Sequence, residues 1–395
     1  MQEKQTQSSF LKNLLIAVMA MVLVYSLILS VGMVGTGFKW SSGGKEGAKA
    51  LFEFATNPVI GLLMGVFATA LVQSSSTVTS VVVGLVAGGM PVSIAVPMIM
   101  GANIGTTVTN TLVSLAHMTR PQEFRRAFAA ATVHDFFNLM AVCIFLPLEI
   151  FTGMIFGGGG LLERVSLPLS QFVYGTGESS GFNIKNLNFI KPLTKPVIKI
   201  FHNDGQGLFD SMSDVVGGIT LILIGLVLIF ISIVYLGKLL RANLTGRAEK
   251  IFHTALGRGP VTGLLAGTII TIIVQSSSTT TSLIIPMAGA GLMTLRQVFP
   301  FTLGANIGTT VTAFLASLAG GKYGQAAVQI AIVHLLFNLL ATSIIYPVPF
   351  LRNIPLIFSE RLADLAIKSR TVAIGYILFV FFGVPLLVLG VMELL

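Results

Sequence analysis

Two short runs of polar residues in this sequence could hold an ion where no charged side chain is at hand. Gln73-Ser74-Ser75-Ser76-Thr77 recurs unchanged as Gln275-Ser276-Ser277-Ser278-Thr279. A helix that begins at such serines has unpaired first-turn N–H groups and a positive dipole end, which is an anion site. The hydroxyls of Ser74, Ser75 and Ser76, and of Ser276, Ser277 and Ser278, add rotatable donors. The carboxamide oxygens of Gln73 and Gln275, with nearby carbonyls, can face a cation. The competing reading is tight helix packing through small polar residues. A cluster this polar, repeated in apolar surroundings, argues instead for a lined site.

A second repeated string has similar logic. Gly101-Ala102-Asn103-Ile104-Gly105-Thr106-Thr107-Val108-Thr109 is identical to residues 304–312. Its glycines are expected to loosen a helix, exposing carbonyls beside the amides of Asn103 and Asn306. Thr106, Thr109, Thr309 and Thr312 then complete neutral, hard-oxygen ligand sets suited to sodium. The alternative is a glycine-mediated crossing of two helices.

Asp135 is the only charged residue in 127–148, and Leu335 stands at the matching place in the second copy. A charge near mid-membrane costs upward of about 2.5 kcal/mol and is by default functional, so Asp135 reads as a cation ligand used once; the competing reading is a protonated or snorkelling Asp near an interface, nine residues from Arg126. His134 and Asn138, like His334 and Asn338, are four residues apart and share a helix face. These pairs read chiefly as hydrogen-bond brackets for the serine runs, and Asn138 is also counted among the sodium ligands. No zinc site is expected, because no further His or Cys stands at ligand spacing.

The elements that carry these residues follow from where charge is missing. Only 10% of the 395 residues are charged and 54% are hydrophobic, against about 25% charged in soluble domains. No Asp, Glu, Lys or Arg occurs between Glu53 and Arg120, nor in 13–38, 215–237, 259–295, 297–321, 323–351 or 371–392. Since about 20 apolar residues span a bilayer as a helix, the fold class is an all-α polytopic membrane protein. The continuous apolar run Leu221–Phe230 excludes the alternation of a membrane β-barrel. A net charge of +9 is placed in short loops, where it sets topology, so no nucleic-acid partner is expected. The single Cys143 leaves no intramolecular disulfide.

The matches recur in order at offsets of 200 to 203 residues, which marks an internal duplication. The organisation expected is a first segment and helix at 1–50, repeat one at 51–150 and a hydrophilic external loop at 151–213. A helix with a basic cytoplasmic loop follows at 214–250, then repeat two at 251–350 and a C-terminal helix at 351–395. Each repeat is expected to contain a re-entrant hairpin turning at the serines and a broken helix, at 101–109 and 304–312. Arg120, Arg125 and Arg126, and Lys238, Arg241, Arg247, Lys250 and Arg258, place their loops in the cytoplasm. Repeat one then starts outside and repeat two inside, the inverted arrangement of many secondary transporters.

The paired Gln-Ser-Ser-Ser runs, the paired Gly-Ala-Asn-Ile-Gly-Thr-Thr strings, and Glu123–Phe128 leading into Thr132-Val133-His134-Asp135 resemble the type II sodium-dependent phosphate cotransporters. The resemblance covers both repeats. It implies symport of inorganic phosphate with sodium as the co-transported ion, no cofactor, no catalysis, and a multi-pass protein of the cell (inner) membrane; the short chain with no disulfide points to a bacterial member. By that resemblance Ser74, Ser75, Ser76, Ser276, Ser277 and Ser278, with Asn103 and Asn306, are phosphate-binding. Gln275, Ser276, Thr309 and Thr312 form one sodium site, with Gln73, Thr106, Thr109, Asp135 and Asn138 as further sodium ligands. Asp135, Ala129 and Ala131 match the electrogenic pattern. The chain departs from vertebrate members at His117, Arg120 and Ala305, positions bearing on a third sodium site. The alternatives to test are a symporter of sulfate or a carboxylate, a channel, and a serine hydrolase using His134 or His334.

Overall fold

The computed structural model describes residues 2–43, 56–176, 190–203, 205–255, 259–320 and 323–394, all helix and connecting turn with no strand among them. The helices are α1 (Gln2–Ser41), α2 (Pro58–Val72), α3 (Ser75–Gly88), α4 (Val92–Gly105), α5 (Val108–Leu115), α6 (Pro121–Phe156), α7 (Leu161–Tyr174) and α8 (Ile190–Phe201). The second half comprises α9 (Asp214–Ala255), α10 (Pro260–Val274), α11 (Ser277–Gly289), α12 (Leu295–Ser317), α13 (Gly324–Ile345), α14 (Pro349–Lys368), α15 (Arg370–Leu378) and α16 (Val384–Leu394). A π-helical turn, Phe379–Gly383, joins the last two. Among the described residues, seven stretches are long and apolar enough to cross a membrane, from Leu14–Ser41 to Arg370–Val391. This is a multi-pass membrane protein.

Helices α2, α3, α10 and α11 have 15, 14, 15 and 13 residues. At 1.5 Å per residue the longest reaches about 22 Å, short of a hydrocarbon core about 30 Å thick. Their starts are written locally. Asn57 caps α2 by accepting the Val59 N–H at 2.9 Å, and Pro58 and Pro260 occupy first-turn positions that need no donor.

The halves interlock. Helix α3 packs on α12 and α13, while α11 packs on α5 and α6. Within each half, α2 crosses α4 and α10 crosses α12 at glycine contacts. A Cβ on Gly101 would stand 1.9 Å from the Leu62 carbonyl oxygen, and one on Gly304 would stand 1.9 Å from that of Leu264. These glycines therefore serve close backbone approach inside intact helices, not the unwinding expected from the sequence.

The expected pair of broken helices is also corrected. In the first copy the helix is interrupted only at Thr106 and Thr107, which keep right-handed helical dihedrals, and the Thr107 N–H turns to the Ile104 carbonyl at 3.3 Å. In the second copy α12 runs unbroken through 304–312. The strings are identical, so the cause lies beyond them: Asn110-Thr111 follows the first, Ala313-Phe314 the second. Alanine propagates a helix better than asparagine.

Two connecting regions are more helical than expected. The stretch read as an external loop contains α7 and α8, with 177–189 outside the described residues. The basic stretch after Lys238 continues α9 as far as Ala255, and Arg258 lies outside the described residues.

Candidate substrate and ion site

The two serine turns have the same backbone. Gln73 and Gln275 end α2 and α10 with φ of 54°, the only non-glycine residues of positive φ among those described. A left-handed L residue costs about 1–2 kcal/mol, so both turns hold local strain. Each is closed by a 2.7 Å hydrogen bond, from Gln73 N–H to the Thr69 carbonyl and from Gln275 N–H to the Thr271 carbonyl.

The next residue is extended and caps the following helix. Ser74 Oγ accepts the Thr77 N–H at 3.2 Å and the Thr77 hydroxyl at 2.8 Å, while Ser276 Oγ accepts the Thr279 N–H at 3.2 Å. Ser74 and Ser276 thus spend acceptor capacity on the cap and retain one hydroxyl donor each. Ser75, Ser76 and Ser277 are buried and Ser278 is partly buried. Their N–H groups in the first turn have no intrahelical acceptor. What each turn offers is a small field of donors at a positive helix end, with no formal charge.

The glutamines part company. Gln275 is buried, and its Oε1 accepts the Thr312 hydroxyl at 3.0 Å while its Nε2 donates to the Ile272 carbonyl at 2.6 Å. Gln73 is exposed, and no hydrogen bond joins it to Thr106 or Thr109 among the described residues. The Thr309 and Thr106 hydroxyls donate back along their own helices, to Ala305 and Ala102, each at 2.9 Å. Thr109 Oγ1 is buried without a partner. Of the expected sodium ligands, then, the structure couples Gln275 to Thr312, with Ser276 adjacent and Thr309 one turn away.

The asparagines form a bracket. Asn306 donates to Asn138 Oδ1 at 2.8 Å, and its own Oδ1 meets His134 Nε2 at 2.7 Å. Asn138 in turn donates to the Asn103 carbonyl at 2.8 Å, and the Asn103 amide donates to the Ile99 carbonyl at 2.9 Å. The chain His134–Asn306–Asn138–Asn103 ties α6 to the repeated string of both halves. Asn306 and Asn138 have their amides turned to one another.

A family model described as Na+/Pi-cotransporter matches residues 26–157 and 228–393, which hold α2 to α6, α10 to α15 and both serine turns. The chain belongs to the Na+/Pi-cotransporter family. Human sodium-dependent phosphate transport protein 2B is 33% identical over 441 residues, covering 93% of this chain and 64% of the relative. The sheep protein 2A is 33% identical over 424 residues, covering 93% and 66%. The chain therefore spans just under two thirds of the length of these relatives. No solved structure matches it.

In this Na+/Pi-cotransporter family member Asp135 is only 1% exposed, and two residues that sequence reasoning missed hold it. Tyr376 OH donates to its Oδ2 at 3.0 Å, and Thr111 Oγ1 donates to the same oxygen at 3.4 Å. Beside Thr111, Asn110 Oδ1 accepts the Thr281 hydroxyl at 2.7 Å, and that hydroxyl also donates to the Ser277 carbonyl at 2.8 Å. One short relay of contacts thus leads from the acidic residue of the first half to the serine turn of the second. The signal for Tyr376 was present: it is the only tyrosine in the charge-free window 371–392.

Proposed function

We propose that this protein is a secondary transporter that takes up inorganic phosphate with sodium across the cell (inner) membrane of a bacterium. The observation that carries the reading is the pair of matching serine turns, rich in donors and lacking cations. No Lys or Arg occurs in 54–119 or 259–295, so the charge of a phosphate there is met by helix N-termini, hydroxyls and a co-bound cation. A site that needs a cation to neutralise its anion couples the two thermodynamically, each ligand raising affinity for the other. Hydroxyls of Ser75, Ser76, Ser277 and Ser278 would contact phosphate. Gln275, Ser276, Thr309 and Thr312 would hold one sodium, and Asp135 with Thr111 another.

The names of the relatives, sodium-dependent phosphate transport proteins, support the same substrate pair. The layout of contacts bears on topology. Arg126 donates to the Gly289 carbonyl at 2.8 Å and Arg125 pairs with Asp364 at 2.5 Å, gathering the start of α6, the end of α11 and α14 at one face. With the positive-inside rule that face is cytoplasmic, and each short helix pair enters and leaves by one side as a re-entrant hairpin. Alternating access then follows from one inverted unit rocking against the other.

The test is uptake of labelled phosphate into proteoliposomes, with and without an inward sodium gradient, and with sulfate as competitor. Accumulation that requires sodium and resists sulfate is the expected result. Uptake indifferent to sodium, or preference for sulfate, refutes the assignment.

A further inference from the structure

A cavity of about 770 Å3 opens where the end of α1, the end of α8 and the start of α9 meet. Lys39, Lys195 and Lys199 stand on its walls, with Trp40, His202 and Asp214. All three lysines are exposed, and no carboxylate among the described residues lies within salt-bridge range of them. The one acidic residue in the wall, Asp214, accepts the Trp40 indole N–H at 2.9 Å. The lining therefore presents three positive charges against one engaged negative charge.

The wall is built in advance. The His202 ring stacks on Trp40 with centroids 3.9 Å apart and 16° between planes. Asp210 fixes that ring through Nδ1 at 2.5 Å, and its other oxygen accepts the N–H groups of Asn203, Gly205 and Gly207 at 2.7–2.9 Å. The cavity is also distant from the serine turns. It touches α3 at Ala87, twelve residues beyond Ser75 and thus about 18 Å along the helix.

We propose that this cavity is a second anion site, which binds a phosphate group at the mouth of the protein through Lys39, Lys195 and Lys199. Lysine meets phosphate as a point charge on a flexible stem, and three of them around one cavity suit a group with several acceptor oxygens. The phosphate group comes either from free inorganic phosphate or from a lipid headgroup. The proposal does not rest on the transport reading, since binding here would stand whatever ion the serine turns carry.

The chain contains a single tryptophan, so intrinsic tryptophan fluorescence reports on this wall alone. The experiment titrates the full-length protein with inorganic phosphate in phosphatidylcholine nanodiscs without sodium. Equilibrium dialysis of labelled phosphate runs in parallel. The expected result is saturable binding that survives Ser75→Ala/Ser277→Ala. Lys195→Gln/Lys199→Gln should weaken it about fivefold to thirtyfold, and Lys195→Arg/Lys199→Arg should restore it. Phosphatidylglycerol nanodiscs separate the sources: a titration displaced to higher phosphate assigns the cavity to headgroups, an undisplaced one to free phosphate. Absence of binding by both methods, or binding that is lost with the serine variants and indifferent to the lysines, overturns the proposal.

Discussion

Gln275 does two separable things, and its replacement by glycine and by alanine should pull them apart. Its backbone sits at φ 54°, and its side chain joins the Thr312 hydroxyl at 3.0 Å in a buried setting. Either substitution deletes that acceptor and leaves the Thr312 hydroxyl needing another, at about 1–3 kcal/mol. Alanine keeps the left-handed strain, whereas glycine relieves about 1 kcal/mol of it. Gln275→Gly should therefore unfold in detergent at a higher midpoint than Gln275→Ala, with both below wild type. Because neither variant has a carboxamide, both should raise the sodium concentration needed for half-maximal phosphate uptake, and by the same factor. Gln73 is exposed, so Gln73→Gly should stabilise slightly and change the sodium requirement less. If the alanine variant proved the more stable, the strain argument would be wrong. If sodium dependence were unchanged in both Gln275 variants, the glutamine would be structural only.

Three further outcomes are expected. Gly304→Ala places a Cβ 1.9 Å from the Leu264 carbonyl oxygen, so α10 and α12 must separate at a cost of about 1–3 kcal/mol or more. Its unfolding midpoint should fall clearly below that of Gly375→Ala, whose Cβ meets nothing within 4 Å. Tyr376→Phe removes the 3.0 Å donor to Asp135 and should raise the sodium requirement about fivefold or more; unaltered sodium activation curves in proteoliposomes would show that the hydroxyl is idle. Asp364 is held below the usual carboxylate range by the Arg125 guanidinium, with burial opposing. That stabilisation is present above the unfolded value of about 3.9 and is lost as pH falls through the lower folded value. Being half exposed, the pair contributes at most about 1 kcal/mol. A midpoint difference between wild type and Asp364→Asn should thus be small near neutrality and vanish in acid.

The serine turns were legible because they are local: a serine that caps a helix, preceded by a residue that ends one, needs no distant partner. The short helices were legible for the same reason, through Asn57-Pro58 and Gly259-Pro260. Glycine was ambiguous, since Gly101 and Gly304 signal both a loose helix and a tight crossing, and only the opposing backbone decides. Tertiary pairings were out of reach. Nothing in the spacing says that Tyr376 meets Asp135 across 241 residues, or that Thr281 meets Asn110. Proline concealed α8: Pro192 falls in its first turn, where a missing N–H costs nothing, but Pro196 stands inside the helix, where the sequence argues for a break. The basic run after Lys238 concealed the length of α9, although lysine and arginine are good helix formers. The lysine cavity was invisible, for it brings Lys39 together with Lys195 and Lys199 from more than 150 residues further along the chain.

The nine-residue string shared by residues 101–109 and 304–312 is slack at Thr106 and Thr107 in one copy and taut at Thr309 and Thr310 in the other. Identical chemistry cannot prefer both, so its stiffness is nearly neutral and the choice is made by the frame in which it is mounted. In the first half that frame includes Asn110, Thr111 and the carboxylate of Asp135; in the second it holds Ala313, Phe314 and Leu335. It follows that the same substitution made in each copy of the string, at matching positions such as Thr106 and Thr309, should act differently in the two halves, because the frames differ. The molecule has a single spring installed twice, and the setting screw is on one side only.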